Sequence, residues 1–275
     1  MTPVSVIRGS GPVVLGQPHA GTGLPDGIQA QLNEVGCALT DTDWHVDRLY
    51  DGLLADATIV RANFHRYVID ANRDPSGESL YPGRNTTGLV PRVSFDGAPI
   101  WITPPPDREV EARRVEFHAP YHAALQAEVD RVRSAHGLAV LYDCHSIRSE
   151  IPYLFEGRLP DLNIGDNDGA ACAPALTRAV AEICGRAEGF TSVVNGRFRG
   201  GWTTRHYGRP ADGVHAIQME IAQACYLEAE EAPFDYSEEK AARLREVLAE
   251  ILGRIDALAR TGHLNGAEHE RQAGE

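Results

Sequence analysis

Short aliphatic and β-branched runs alternate along this chain with longer stretches in which apolar residues recur every three or four positions. "PVVLGQ" (12–17), "ATIVRAN" (57–63), "RYVID" (66–70), "GLAVLYD" (137–143), "TSVVNG" (191–196) and "VHAIQMEIAQ" (214–223) read as strands, because each is short, apolar and bounded by turn-forming residues. Residues 41–56 read as a helix that Thr42 or Asp43 can cap, with Val46, Leu49, Tyr50, Leu53 and Leu54 on one face. Residues 108–136 are helical in pattern and should kink or divide at Pro120. Two more helices are predicted, over 172–189 and 237–260. The second carries the stripe Leu244, Val247, Leu248, Ile251, Leu252, Ile255 and Leu258.

Strands alternating with helices predict an α/β sheet covered on both faces. At 275 residues one domain is the default, over 1–262, followed by a tail (263–275) without an apolar stripe that should fray. The Pro-, Gly- and Ser-rich stretch 73–107 is too long for an idle loop and should be functional or hold further elements.

Charge and cysteine content narrow the function. A formal charge of −13 argues against nucleic acid, whose phosphates require clustered Lys and Arg. No run reaches the roughly 18 apolar residues of a membrane span, and "MTPVSVIRGSGPVVLG" lacks the pattern of a signal peptide. The expectation is a cytoplasmic protein, with room for a homo-oligomer. Five scattered cysteines without a C-x-x-C pair suggest neither disulfides nor a thiolate zinc site. Cys37, Cys172, Cys184 and Cys225 read as small buried hydrophobes, and Cys144, beside His145, as steric filler. Neither G-x-G-x-x-G nor G-x-x-x-x-G-K-[ST] occurs, so nucleotide binding has no motif here.

The chemistry concentrates where strands end, as ligands do in open α/β sheets. His19, Asn72 with Arg73, His145 and Glu220 all fall there. Two imidazoles and a carboxylate around an open position suit a catalytic zinc. The third ligand is Asp43 or, one helical turn later on the same face, Asp47. "YDCHSIRSEI" (142–151) would then be a ligand loop, with Asp143 orienting an imidazole.

"QPHAGTGLP", "TDTDWHVDRLYD", "FHRYVIDANRDPSG", "LYPG", "LYDCHSI", "GGWTTRHYG" and "HAIQMEIAQACYL" together resemble the N-formylglutamate deformylase (amidohydrolase) family over about residues 10–230. The resemblance implies a mixed, largely parallel sheet flanked by helices, of the zinc-carboxypeptidase and aspartoacylase type, a phosphorylase/hydrolase-like fold. It implies metal-dependent hydrolysis of N-formyl-L-glutamate, the last step of a histidine degradation route, with one divalent ion, Zn²⁺ above others. Thr22 stands where the wider group has a metal-binding Glu three residues after the first His, so the acidic ligand must come from the next helix, as in cell-wall amidases.

By the same likeness Glu220 is the general base, and Arg66 or Arg73, with Asn72, polarises the scissile carbonyl and binds a carboxylate. Arg66, Arg73 and Arg205 are the cations for a small dianionic N-acyl amino acid. Gly200 and Gly201 give "GGWTTRHYG" the freedom to close over it. Two alternatives stand beside this one. A metal-dependent deacylase or carboxypeptidase for another N-acyl amino acid would be separated by an acyl-group screen, and a non-catalytic acid-binding relative by metal content.

Overall fold

The computed structural model describes residues 1–79, 83 and 85–264. Seven strands form one sheet: β1 (Val4–Ile7), β2 (Val13–Gln17), β3 (Thr58–Ala62), β4 (Ala139–Ile147), β5 (Leu162–Gly165), β6 (Ser192–Val194) and β7 (Val214–Ala222). Their order is β1-β3-β2-β4-β7-β5-β6. The run from β3 to β7 is parallel, β5 pairs antiparallel with β7, and β1 closes one edge antiparallel to β3. The sheet is therefore mixed and largely parallel. The helices are α1 (Asp26–Gln29), α2 (Glu34–Cys37), α3 (Val46–Tyr50), α4 (Asp107–Arg113), α5 (Ala119–His136), α6 (Pro174–Arg186), α7 (Trp202–Tyr207) and α8 (Glu238–Arg260).

Each sheet face has its own core. On one side α5 buries Tyr121, Leu125, Val129 and Val132 with Val14, Val60, Leu141 and Ala216. On the other, α6 and α8 pack on Leu15, Val140, Tyr142, Ile217 and Met219. The predicted α8 stripe is buried there, with Val247 at its margin. Each fully buried Leu or Ile contributes roughly 1.5–3 kcal/mol, so α8 holds the sheet by its apolar side while its charges face water.

Strand alternation then places the chemistry. On the α5 face, β4 runs Ala139, Leu141, Asp143, His145 and β7 runs Val214, Ala216, Gln218, Glu220, since side chains two apart share a face. Both rows turn from apolar to polar toward the carboxyl end.

Several expectations are corrected. "RYVID" is a buried turn: Val68 N–H donates to the His65 carbonyl, and Tyr67, Val68 and Ile69 are enclosed by the α5-side core. Complete enclosure produces the same apolar run as a buried strand. The helix of 41–56 shrinks to α3, and neither Thr42 nor Asp43 caps it. His45 holds that place in a left-handed conformation, with φ of 57°. "DCHSI" is the end of strand β4 and not a loop. "GGWTTRHYG" contains α7, and Cys37 is exposed.

Pro120 lies in the first turn of α5, where its missing N–H is tolerated, behind a wide π turn at Arg114–His118. Within 73–107, Leu89, Val90, Ile100 and Trp101 are buried, while 80–82 and 84 lie outside the described residues. So does the predicted frayed tail from 265 onward. No described helix is long and apolar enough to cross a membrane.

Candidate metal centre and active site

His19 stands two residues past β2, His145 near the end of β4, and Asp43 in the turn before α3. Backbone bonds register these segments. Asp43 N–H donates to the His19 carbonyl at 3.2 Å, and Ser146 N–H donates to Asp43 Oδ2 at 3.1 Å. As a result His19 Nδ1 and His145 Nδ1 lie 3.2 Å apart, and 3.7 and 3.2 Å from Asp43 Oδ2. All three residues are buried.

Ligand atoms about 2.0–2.2 Å from a shared tetrahedral ion are separated by roughly 3.3–3.5 Å, so this triangle has the size of one metal's coordination face. The tautomers agree. His19 Nε2 sits 2.7 Å from Asp70 Oδ1, and His145 Nε2 3.2 Å from Asp143 Oδ2. The tautomer that carries the ring proton on Nε2, facing these carboxylates, leaves the Nδ1 lone pairs of both rings directed toward Asp43. Three lone-pair donors converge, an arrangement stable only with positive charge among them. The titration directions carry the same sign. Burial opposes charge on His145, but Asp143 and Asp43 overcome it and hold its pKa well above the ordinary value. Burial likewise disfavours ionised Asp43, yet His19 and His145 keep that carboxyl below its usual range.

Asp47, four residues on, is 40% exposed and pairs with Arg61 at 2.7 Å. The helix expected to carry both acids begins only at Val46, so they do not share a face.

Around the triangle lies a cleft lined by Arg66, Asn72, Arg73, Arg197, Gly201, Gln218 and Glu220. Glu220 is 7% exposed. Burial pushes its pKa up to about 8, with Asp43 adding to the rise and His145 opposing it. Arg66 donates to Asp70 Oδ2 at 3.0 Å and lies 3.6 Å from Asp43 Oδ1. Asn72 Nδ2 lies 3.0 Å from His145 Nε2, while its Oδ1 accepts from Thr203 N–H. Arg73 spreads its guanidinium over the Thr87 carbonyl, the Thr87 hydroxyl and the Asn72 carbonyl.

Gly201 has an ordinary φ of −77°. Its requirement is space, since a Cβ there would lie 2.2 Å from Asn72 Nδ2. Gly200, with φ of +109°, is the one that needs the glycine conformation. Arg205 donates from Nε to the Gly200 carbonyl and is not among the side chains lining the cleft. Sequence reading passed over Arg197, Gln218 and Asp70. For Asp70 a signal existed, the i,i+4 spacing from Arg66. Arg197 sits past the short edge strand β6 with no motif around it.

Residues 11–227 match the family model for N-formylglutamate amidohydrolase. The chain is 44% identical over 260 residues to the N-formylglutamate deformylase of Pseudomonas aeruginosa PAO1, covering 94% of this chain and 97% of that one. It is also 44% identical over 252 residues to the N-formylglutamate deformylase of Pseudomonas putida, covering 90% and 94%. The crystal structure of an N-formylglutamate amidohydrolase from Ralstonia eutropha JMP134 superposes with a TM-score of 0.80 at 28% identity, over 95% of this chain and all of that one. The Agrobacterium tumefaciens gene product Atu2144 shares the fold, with a TM-score of 0.70 at 22% identity, over 92% and 94%. Agreement in sequence and in fold, each over nearly the whole length, means that this chain belongs to the N-formylglutamate amidohydrolase family.

Proposed function

We propose that the protein hydrolyses N-formyl-L-glutamate to formate and L-glutamate, using one divalent ion held by His19, Asp43 and His145. The observation that carries this reading is the convergence of two Nδ1 atoms and a carboxylate oxygen in one cleft with Glu220 and Arg66. The names of the two Pseudomonas relatives support the substrate. Two nitrogens, one oxygen and an open position favour zinc among the common ions.

When bound, such an ion supplies Lewis-acid activation of water and of the formyl carbonyl. The side chains do the rest. Glu220 takes the proton of the attacking water and returns it to the amine nitrogen as the C–N bond breaks, a role that favours a pKa near the working pH. Arg66 lies against the triad and supports negative charge growing on the formyl oxygen. The substrate's carboxylates need cationic partners, and Arg73 and Arg197 bring theirs into the same cleft. Asn72 and Gly201 form the wall against which the substrate lies, and Arg205 braces the Gly200 carbonyl behind it.

The test is an assay of protein carrying one equivalent of Zn²⁺ on the N-formyl, N-acetyl and N-succinyl derivatives of L-glutamate. Equal release of formate and glutamate, fastest from the formyl compound, is expected. Preference for another acyl group would move the protein to a related deacylase, and no hydrolysis of any would overturn the reading.

A further inference from the structure

Gln218 lines the cleft two residues before Glu220, is 3% exposed, and uses both ends of its side chain. Its Oε1 accepts from Gly201 N–H at 2.7 Å, and its Nε2 donates to Glu220 Oε2 at 3.0 Å. The orientation of this amide is not arbitrary. A backbone N–H can only donate and a carboxylate only accept, so the flipped rotamer would set donor against donor and acceptor against acceptor.

We infer that Gln218 is a positioning residue, holding the Glu220 carboxylate in the orientation from which it moves protons and tying that orientation to the Gly200–Thr203 segment. This rests on the hydrolase reading and on Glu220 as base. The last torsion of a glutamate is broad and nearly two-fold, so packing alone fixes it poorly. The bond from Gln218 engages Oε2 and leaves Oε1 to receive the proton of water and pass it to the leaving nitrogen. The other end of the amide is anchored equally firmly. Gly201 is pressed against Asn72 so closely that no Cβ fits, and Thr203 N–H donates to Asn72 Oδ1 at 2.8 Å. Asn72 in turn touches His145. The base on β7 and the ligand on β4 are thereby registered through a third segment as well as by neighbouring strands.

The experiment is a cycle of Gln218→Met and Glu220→Gln in the zinc-loaded enzyme. Met preserves volume and removes both hydrogen bonds. Gln218→Met should keep its metal and its KM within about threefold while kcat falls roughly 10- to 100-fold, the scale of a misplaced catalytic group. In the Glu220→Gln background the same change should alter kcat less than about twofold, because nothing is left to position. A kcat within about twofold of wild type, or losses that multiply across the cycle as a general structural defect does, would overturn the inference.

Should the Met variant not fold, Gln218→Glu keeps the acceptor for Gly201 and removes the donor to Glu220. The carboxylate at 218 then repels Glu220 where the amide had held it, so kcat should fall at least about 10-fold while the metal content is kept, and the change should matter less than about twofold in the Glu220→Gln background. An unchanged kcat, or an equal loss in both backgrounds, overturns the inference. A wild-type enzyme inactive on N-formyl-L-glutamate sinks the proposed function, whereas an active one indifferent to Gln218→Met sinks only the role of Gln218.

Discussion

Asp43 and Asp47 are separated by one helical turn in sequence and by the protein surface in space. Asp43 is enclosed between two imidazoles, while Asp47 reaches outward to Arg61. Asp43→Ala should therefore lose the metal, and Asp47→Ala should keep about one ion per chain; metal analysis of the purified variants checks both. The reverse result would give the ligand to Asp47. Glu220 lines the cleft without belonging to the ligand triangle. Glu220→Gln should retain metal and substrate affinity while kcat drops roughly 10²–10⁴-fold; near-normal turnover would remove it from the chemistry. His19 and His145 were legible as candidates because an imidazole at a strand's end is noticeable in a sequence. Gln218 and Arg197 were not, since an amide inside an apolar strand and an arginine after a short edge strand carry no pattern.

At the level of elements, β7 also anchors the start of α6. His215 Nδ1 accepts from the N–H of Ala173, the residue that precedes α6. Burial lowers the pKa of this histidine to about 4. The unfolded chain, with its histidine near 6.5, then binds more protons than the folded one between about pH 4 and 6.5. The contribution of His215 is thus complete above pH 6.5 and lost progressively on acidification. His215→Asn keeps an acceptor for Ala173 and does not titrate. The gap between the urea midpoints of wild type and this variant should shift against the wild type as pH falls from 7.5 to 5; a constant gap would show that His215 is not the titrating group.

Element boundaries were read well where one face alone is buried, as in α8, and poorly where the backbone is enclosed on all sides. "RYVID" looked like a strand because its apolar residues are buried all round. Of its polar residues, Arg66 lines the cleft and donates to the fully buried Asp70 behind it.

For the molecule as a whole, the proposed ion joins residues 19, 43 and 145 and so fastens three distant segments. A ligand that binds only the folded state stabilises it by about 2.7 kcal/mol at a hundred times its Kd. Zn²⁺ should accordingly raise the Tm of wild type and of Glu220→Gln by roughly 5 °C or more, EDTA should reverse the gain, and His145→Ala should show none. Identical melting of wild type with and without metal would count against the site independently of any assay.

The sequence by itself determined the layers. Helical stripes and short apolar runs have periods of 3.6 and 2 that can be read locally, and they call for a sheet covered by helices on both faces; that α5 takes one face and α6 and α8 the other is set by the packing. It also marked which side chains stand near the carboxyl ends of strands, whereas the shared face of His145 and Glu220 follows from the pairing of β4 with β7. Only the tertiary structure decided which of them meet. Asp43 comes beside His145 because its backbone N–H bonds the His19 carbonyl and its carboxylate accepts from Ser146. Gln218 turns toward Glu220 because Gly201 closes on its other end. These are pairings between segments tens to more than a hundred residues apart, and no local period encodes them.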